Sequence, residues 1–321
     1  MTVTLYRSTD TGAPTLSGTA GSLVALLDAI LVNGYNTNNP AGAGWTIAFT
    51  ATNQRTYQQG ASSNGYYLHV NDAAPITAKE ARMFGSELAS AVLTGTYLFP
   101  TTTQLANGVF ARKSNTADAT TRAWVAIADS RTLYLFVLTG DTASVYLGWA
   151  FGDYYSYLTG DQGNTFITAR DTENSAATAS TTERMDNMVE QIGGTLSGGF
   201  FIARDVTNAR NTACAGSQLG DTALTANGLA LQGHVGTLTY TNPADSLLYL
   251  APVYVVSQVN GNAVRGRMRG FWHFCHAISN ATDGDTFSGT GALSTKTFRI
   301  VKQGGNSGVF TLETSNTWDS N

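Results

Sequence analysis

Two different periods of hydrophobic and polar positions run along the chain. Over Thr19-Ala-Gly-Ser-Leu-Val-Ala-Leu-Leu-Asp-Ala-Ile-Leu-Val-Asn-Gly34, the residues Leu23, Leu26, Leu27, Ile30 and Leu31 recur at i, i+3, i+4, i+7 and i+8, the spacing of an amphipathic helix. Thr19 or Ser22 is placed to cap its start, and Asn33-Gly34 supplies the left-handed residue that commonly ends a helix. The apolar face is wide, so it is expected to be buried, against its own domain or against a neighbouring subunit. The second alternative makes these leucines and the isoleucine candidate interface residues. Thr181 to Ile192, short and charged, reads equally as helix or loop.

Almost everything else has the period of strands. Trp45 to Thr50, Tyr66 to Asn71, Trp124 to Ala128, Thr132 to Leu138, Ser144 to Ala150, Gly199 to Asp205, Leu247 to Gln258, Gly266 to Ala277 and Thr297 to Lys302 are rich in β-branched and aromatic residues. Most are bounded by Gly, Asn, Asp or Thr-Gly turns. Ala128-Asp-Ser-Arg-Thr132 predicts a tight hairpin, and Gln303-Gly-Gly-Asn-Ser-Gly308 another. The fold class that follows is mainly β: antiparallel sandwich- or barrel-like layers with one firm N-terminal α-helix. Residues 1–38 read as an arm and docking helix, 39–170 as a β domain and 171–183 as an exposed loop without large apolar side chains. Residues 184–321 read as a second β domain or a continuation of the first.

Composition narrows the function. Charged residues make up 12% of the 321 positions, about half the usual ~25%, while the chain holds 46 Thr, 34 Gly and 4 Lys. Hydroxyls, amides and glycine thus supply the polar surface, which suits a protein that packs against other chains. A net charge of -4 gives no basic footprint for nucleic acid. The start, MTVTLYRSTD, has neither a basic nor an apolar leader region, so no secretory signal is expected. The longest apolar run, Leu23 to Val32, is broken by Asp28 and falls short of the ~20 residues a membrane span needs. Cys214 and Cys275 do not make a disulfide framework, so a reducing cytosol suffices.

Several constellations invite a chemical reading. In Phe271-Trp-His-Phe-Cys-His276, a strand would set His273 and Cys275 on one face and Trp272, Phe274 and His276 on the other. Two ligands then converge where zinc wants three or four. His69 and His234 lie far away in sequence, so the expectation is a buried aromatic strand, with no metal and no cofactor. Arg265-Gly-Arg-Met-Arg269 sets three guanidinium groups on one side of a strand, about 7 Å apart. Arg265, Arg267 and Arg269 then serve as an anion grip, as a subunit-facing edge or as an ordinary solvated face. The subunit-facing use makes them candidate interface residues.

Asp283-Gly-Asp285, and Asp153 with Asp161, are the acidic pairs a glycosidase would bring within about 5 to 10 Å; turn roles are the expectation for both. In Gly289-Thr-Gly-Ala-Leu-Ser-Thr-Lys-Thr297, Thr295 stands where a phosphate loop needs glycine. With no nucleophile-elbow or zinc-protease motif, no catalytic residue is assigned and no enzyme is expected. Asp153-Tyr-Tyr-Ser-Tyr157 is an aromatic cluster able to stack on sugars, although such runs are more often core or interface.

Ala13-Pro-Thr-Leu-Ser-Gly-Thr-Ala-Gly-Ser-Leu-Val-Ala-Leu-Leu-Asp-Ala-Ile-Leu-Val-Asn-Gly-Tyr35 resembles the opening of a family of tailed-bacteriophage virion structural proteins, in which a short extended start leads into this helix. Gly44-Trp-Thr-Ile-Ala-Phe49, Trp124-Val-Ala-Ile-Ala-Asp-Ser-Arg131 and Phe151-Gly-Asp-Tyr-Tyr-Ser156 with Gly160-Asp161 are similar to the same family. So is the closing part, from Phe287-Ser-Gly through Thr297-Phe-Arg-Ile-Val-Lys302 to Glu313-Thr-Ser315. Asn36-Thr-Asn-Asn39 departs from it, standing where a glycine would directly follow the tyrosine. The resemblance implies a virion component made in the host cytoplasm, with copies of itself and other virion proteins as partners, and it carries over no catalytic residue. The tail or baseplate region is favoured, and a decoration protein on the capsid surface is the alternative. Two rivals stand beside this reading. A receptor- or glycan-binding module would expose Tyr154, Tyr155, Tyr157 or Trp318 as stacking platforms, and a glycan-degrading enzyme would hold an opposed carboxylate pair in a cleft.

Overall fold

Three antiparallel sheets lie one upon another, and the middle one is buried on both faces. The computed structural model of the chain describes residues 2–141, 146–169, 199–210, 216–217, 247–257, 263–274, 282–302 and 309–318. In chain order, β1 (Thr4–Arg7) leads to α1 (Ser22–Leu27), which continues as a π-helical turn over Asp28–Asn33. Next come β2 (Thr46–Ala51), β3 (Gln54–Gln58), β4 (Tyr67–Asn71), β5 (Glu80–Ala91), β6 (Thr94–Phe99) and β7 (Val109–Arg112). They are followed by β8 (Trp124–Ala128), β9 (Thr132–Leu138), β10 (Tyr146–Asp153), β11 (Tyr155–Ser156), β12 (Thr165–Ala169) and β13 (Gly199–Ile202). The last described strands are β14 (Gly216–Ser217), β15 (Leu250–Ser257), β16 (Ala263–Phe274), β17 (Thr286–Ser288), β18 (Thr297–Lys302) and β19 (Val309–Glu313).

The middle sheet has the order β1-β8-β9-β10-β12-β13. The first outer sheet runs β2-β3-β4-β5-β6, with β7 also on β5; the second runs β14-β15-β16-β19-β18-β17, with β11 on β16. Because successive side chains of a strand point to opposite faces, the middle sheet feeds two cores at once. Trp124, Leu133, Leu135, Trp149, Phe151, Ile167 and Phe201 pack with Tyr57, Leu68, Val70 and Met83 of the first outer sheet. Ile127, Tyr134, Phe136, Phe166 and Phe200 pack with Val253, Val255, Phe271, Val301, Phe310 and Leu312 of the second. Burial on both faces explains why the middle strands read as continuous apolar runs rather than as alternations.

The expected mainly β, layered fold with one N-terminal helix is the one that forms. The hairpin at Ala128–Thr132 joins β8 to β9, and Asp129 Oδ1 accepts from the N–H groups of Arg131 and Thr132, both at 2.9 Å. The first residues are not a free arm. β1 pairs with β8, and the Val3 N–H donates to the Asn316 carbonyl at 2.8 Å. β13, from beyond the predicted loop, pairs with β12 and so completes the middle sheet. The segment 171–183, the helix-or-loop stretch Thr181 to Ile192, the turn at 303–308, Cys214, Cys275, His234 and His276 lie outside the described residues.

The helix is shorter in its α-helical part than the pattern predicts. The Gly34 N–H donates to the Ala29 carbonyl at 2.8 Å, five residues back, which is the π-helical spacing, and Gly34 closes the turn at φ 73°. Asp28, the polar break in the apolar run, accepts from the Tyr57 hydroxyl at 2.7 Å and pairs with Arg55 at 3.0 Å.

Candidate functional site

Arg265, Arg267 and Arg269 do not share a face. β16 slips register against β15 twice, between Pro252 and Tyr254 and between Val255 and Val256. A bulge breaks the two-residue alternation and re-aims the side chains around it. Arg265 is therefore buried against Asp161 at 2.8 Å, and its guanidinium also donates to the Arg204 carbonyl. Arg269 is buried against Asp129 at 2.7 Å, in the turn of the middle sheet. Arg267 alone of the three keeps the outward orientation. Tyr155 of β11 lies directly opposite it on one side and Tyr254 of β15 on the other. Its guanidinium stands 5.4 Å from the centroid of the half-buried Tyr155 ring, and that of Arg269 stands 5.8 Å from the same centroid. Tyr154 and Trp318 are buried, whereas Tyr157 is 57% exposed.

Leu23, Leu26, Leu27, Ile30 and Leu31 are fully buried in the core shared by the helix, the middle sheet and the first outer sheet. They face their own domain and present no surface to a neighbour. The helix start is capped from a distance. Asp72 Oδ2 accepts from the N–H of Leu23 at 2.8 Å and of Val24 at 3.3 Å, which replaces the predicted cap from Thr19 or Ser22. Asp72 Oδ1 pairs with Lys113, whose ammonium donates to the Thr19 carbonyl at 2.7 Å. Burial pushes the Asp72 carboxyl up and the Lys113 ammonium down, and their mutual attraction opposes both shifts.

The acidic candidates hold structure together. Asp153 is fully buried, and burial pushes its carboxyl up, against hydrogen bonds from Gln59 at 3.0 Å and Thr165 at 2.8 Å. Asp161 is closed off by Arg265, so the two do not face each other across an open cleft. Asp283 accepts from the Tyr146 hydroxyl at 3.0 Å, and Asp285 accepts from the Thr282 N–H at 2.7 Å, as a turn residue does.

Two constellations escape sequence reasoning. Glu87 of β5 receives a two-point grip from Arg204 at 2.7 and 2.8 Å and a further bond from Arg210, whose guanidinium lies 4.1 Å from the Tyr97 ring centroid. Burial pushes the Glu87 carboxyl up, but the two guanidinium groups outweigh it and hold it below the ordinary range. Arg204 is 117 residues away, too far for any spacing rule to find.

The other is a relay: His69 Nδ1 lies 2.9 Å from Thr56 Oγ1, and Nε2 lies 2.8 Å from Ser86 Oγ. Its geometry resembles a serine–histidine pair, yet both residues are fully buried and His69 stacks on Phe84 at 4.5 Å. The chain packs so closely on Ser86 that a methyl added to Gly95 would lie 2.6 Å from its hydroxyl oxygen. No substrate carbonyl fits there, and the relay is a packing device. Burial lowers the imidazole to about 4.

Among the described residues, no group of three or more His, Cys, Asp or Glu side chains is placed to hold a metal ion. No helix among them is long and apolar enough to cross a membrane. Compared with known proteins, the chain matches no family model and none of the curated proteins.

Proposed function

We propose that the chain is a structural subunit of a tailed-bacteriophage particle, and that it assembles by pairing strands across an open sheet edge. The observation that carries this reading is β2. It ends the first outer sheet, its sequence Thr-Ile-Ala-Phe-Thr-Ala holds no charge, Thr46 and Thr50 are exposed and Ile47 is 36% exposed. Soluble proteins usually blunt such edges with lysine, proline or bulges; β2 has neither lysine nor proline, and beyond its one bulge, between Ile47 and Phe49, it pairs regularly with β3 through Ala51. An uncharged edge suits a strand from a second copy. The resemblance of residues 13–35 to phage virion proteins supports the same role, as does the low charge of the surface, which packs against neighbours without desolvating ions. The tail or baseplate region is the favoured position, and the capsid surface is the alternative.

Light scattering on the purified chain is expected to give a defined oligomer, which Ile47→Lys converts to monomer. Immunogold labelling of virions is expected to mark the tail. Label over the head would move the subunit to the capsid surface, and a stable monomer absent from particles would overturn the proposal.

A further inference from the structure

The outward face of the second outer sheet carries a feature that strand-edge assembly does not use. Tyr155, Arg267 and Tyr254 form a row across β11, β16 and β15, because directly opposed residues of antiparallel strands share a face. Neighbouring strands lie about 4.8 Å apart, which sets the backbones of the two tyrosines roughly 9–10 Å from each other with that of Arg267 between them. Tyr157 stands beside the row, its N–H donating to the Arg265 carbonyl at 2.7 Å. Its phenol is pushed up by partial burial and by Tyr254 and drawn down by Arg267, so the three groups lie within electrostatic reach.

The arginines two places to either side each hold a buried aspartate. Arg267 pairs with no carboxylate among the described residues and rests on the Tyr155 ring. A half-buried guanidinium fork with no carboxylate of its own among the described residues, resting on an aromatic ring, matches a planar carboxylate arriving from solvent. The rings add flat apolar faces with a hydroxyl at one edge.

We propose that this row binds a saccharide bearing a carboxylate. Arg267, steadied by the Tyr155 ring, takes the carboxylate in a two-point grip, and Tyr157 and Tyr254 receive the C–H faces of the sugar rings. An acidic peptide would need only the arginine. Tyr254 across the strand pair and the exposed Tyr157 beside it offer more than one aromatic face near the cation, which suits consecutive linked pyranoses. The site stands independently of particle assembly.

The full chain is titrated calorimetrically with tri-galacturonate, the matching neutral galactose trimer, a glutamate-rich peptide and inorganic phosphate. Tri-galacturonate is expected to saturate and to bind at least about tenfold more tightly than the other three. Arg267→Gln should weaken it about tenfold or more, with Arg267→Lys in between, since lysine keeps the charge and loses the fork. Tyr157→Ala, at an exposed position, should weaken it about threefold or more without moving the melting temperature. Equal binding of the peptide or of phosphate overturns the saccharide assignment. Undiminished binding by a folded Arg267→Gln protein, or no binding of tri-galacturonate, overturns the site.

Discussion

The middle sheet and the first outer sheet are built from the same kind of ladder but held by different means. In the middle sheet both faces of β8 and β9 are buried, so neighbours such as Leu135 and Phe136 drop into separate cores. In the first outer sheet one face joins the core, while the other holds a polar row, Thr56–His69–Ser86, and ends at the exposed edge β2. Where apolar burial comes from both sides, the ladder needs little else. Where it comes from one side, hydrogen bonds and ion pairs with distant parts of the chain complete it.

The largest effect belongs to the middle sheet. Phe136→Ala and Leu135→Ala open cavities in different cores and are expected to cost roughly 3–5 and 2–5 kcal/mol in denaturant unfolding. A loss under about 1 kcal/mol for either would mean that one face is not packed. Next comes Asp72→Asn, which strands Lys113 in the interior and weakens the helix cap; about 3–4 kcal/mol should be lost in thermal unfolding. Asp72→Asn combined with Lys113→Met should recover part of it, and no recovery would argue against the pair.

The polar row sets a smaller, pH-dependent effect. The folded state holds His69 at about 4 against an ordinary 6.5, so the unfolded chain binds a proton that the folded chain refuses. Its contribution is complete above the unfolded value and lost as pH falls toward the folded one, by roughly 3 kcal/mol. Unfolding measured across that window should lose this part of its slope in His69→Asn, and an unchanged slope would mean that the imidazole is not held neutral. The smallest effect on stability is at the edge, where Ile47→Lys should stay within about 0.5 kcal/mol while it abolishes pairing between subunits.

Legibility in the sequence followed the same division. The apolar runs of β8 and β9 were readable because nothing polar interrupts them, and the helix was readable from its period. β5 was not. Glu80-Ala-Arg-Met-Phe-Gly-Ser-Glu lacks β-branched residues, and its charges are buried because Glu80 pairs with Arg82 within the strand and Glu87 receives Arg204 from 117 residues away. The helix cap was hidden for the same reason, since Asp72 lies 49 residues from Leu23. The arginine strand was found, but its facing was misread. Gly266 and Gly270 carried the missing signal: a Cβ at Gly266 would lie 1.8 Å from the Tyr155 carbonyl oxygen, and Gly270 has φ +63°. Glycine inside a strand marks a bulge or a close approach, and either one shifts which side chains face out.

Burial of apolar area is non-directional, so it holds layers together without by itself fixing their register. Arg204–Glu87 crosses the boundary between the middle and first outer sheets, and Arg269–Asp129 crosses the boundary to the second. Each is directional, so a small lateral displacement would break it. These pairs act as shear pins: with neutral bonds such as Trp45 Nε1–H to the Asp129 carbonyl and Tyr134 O–H to the Arg269 carbonyl, they add directional resistance to that of the interdigitated cores.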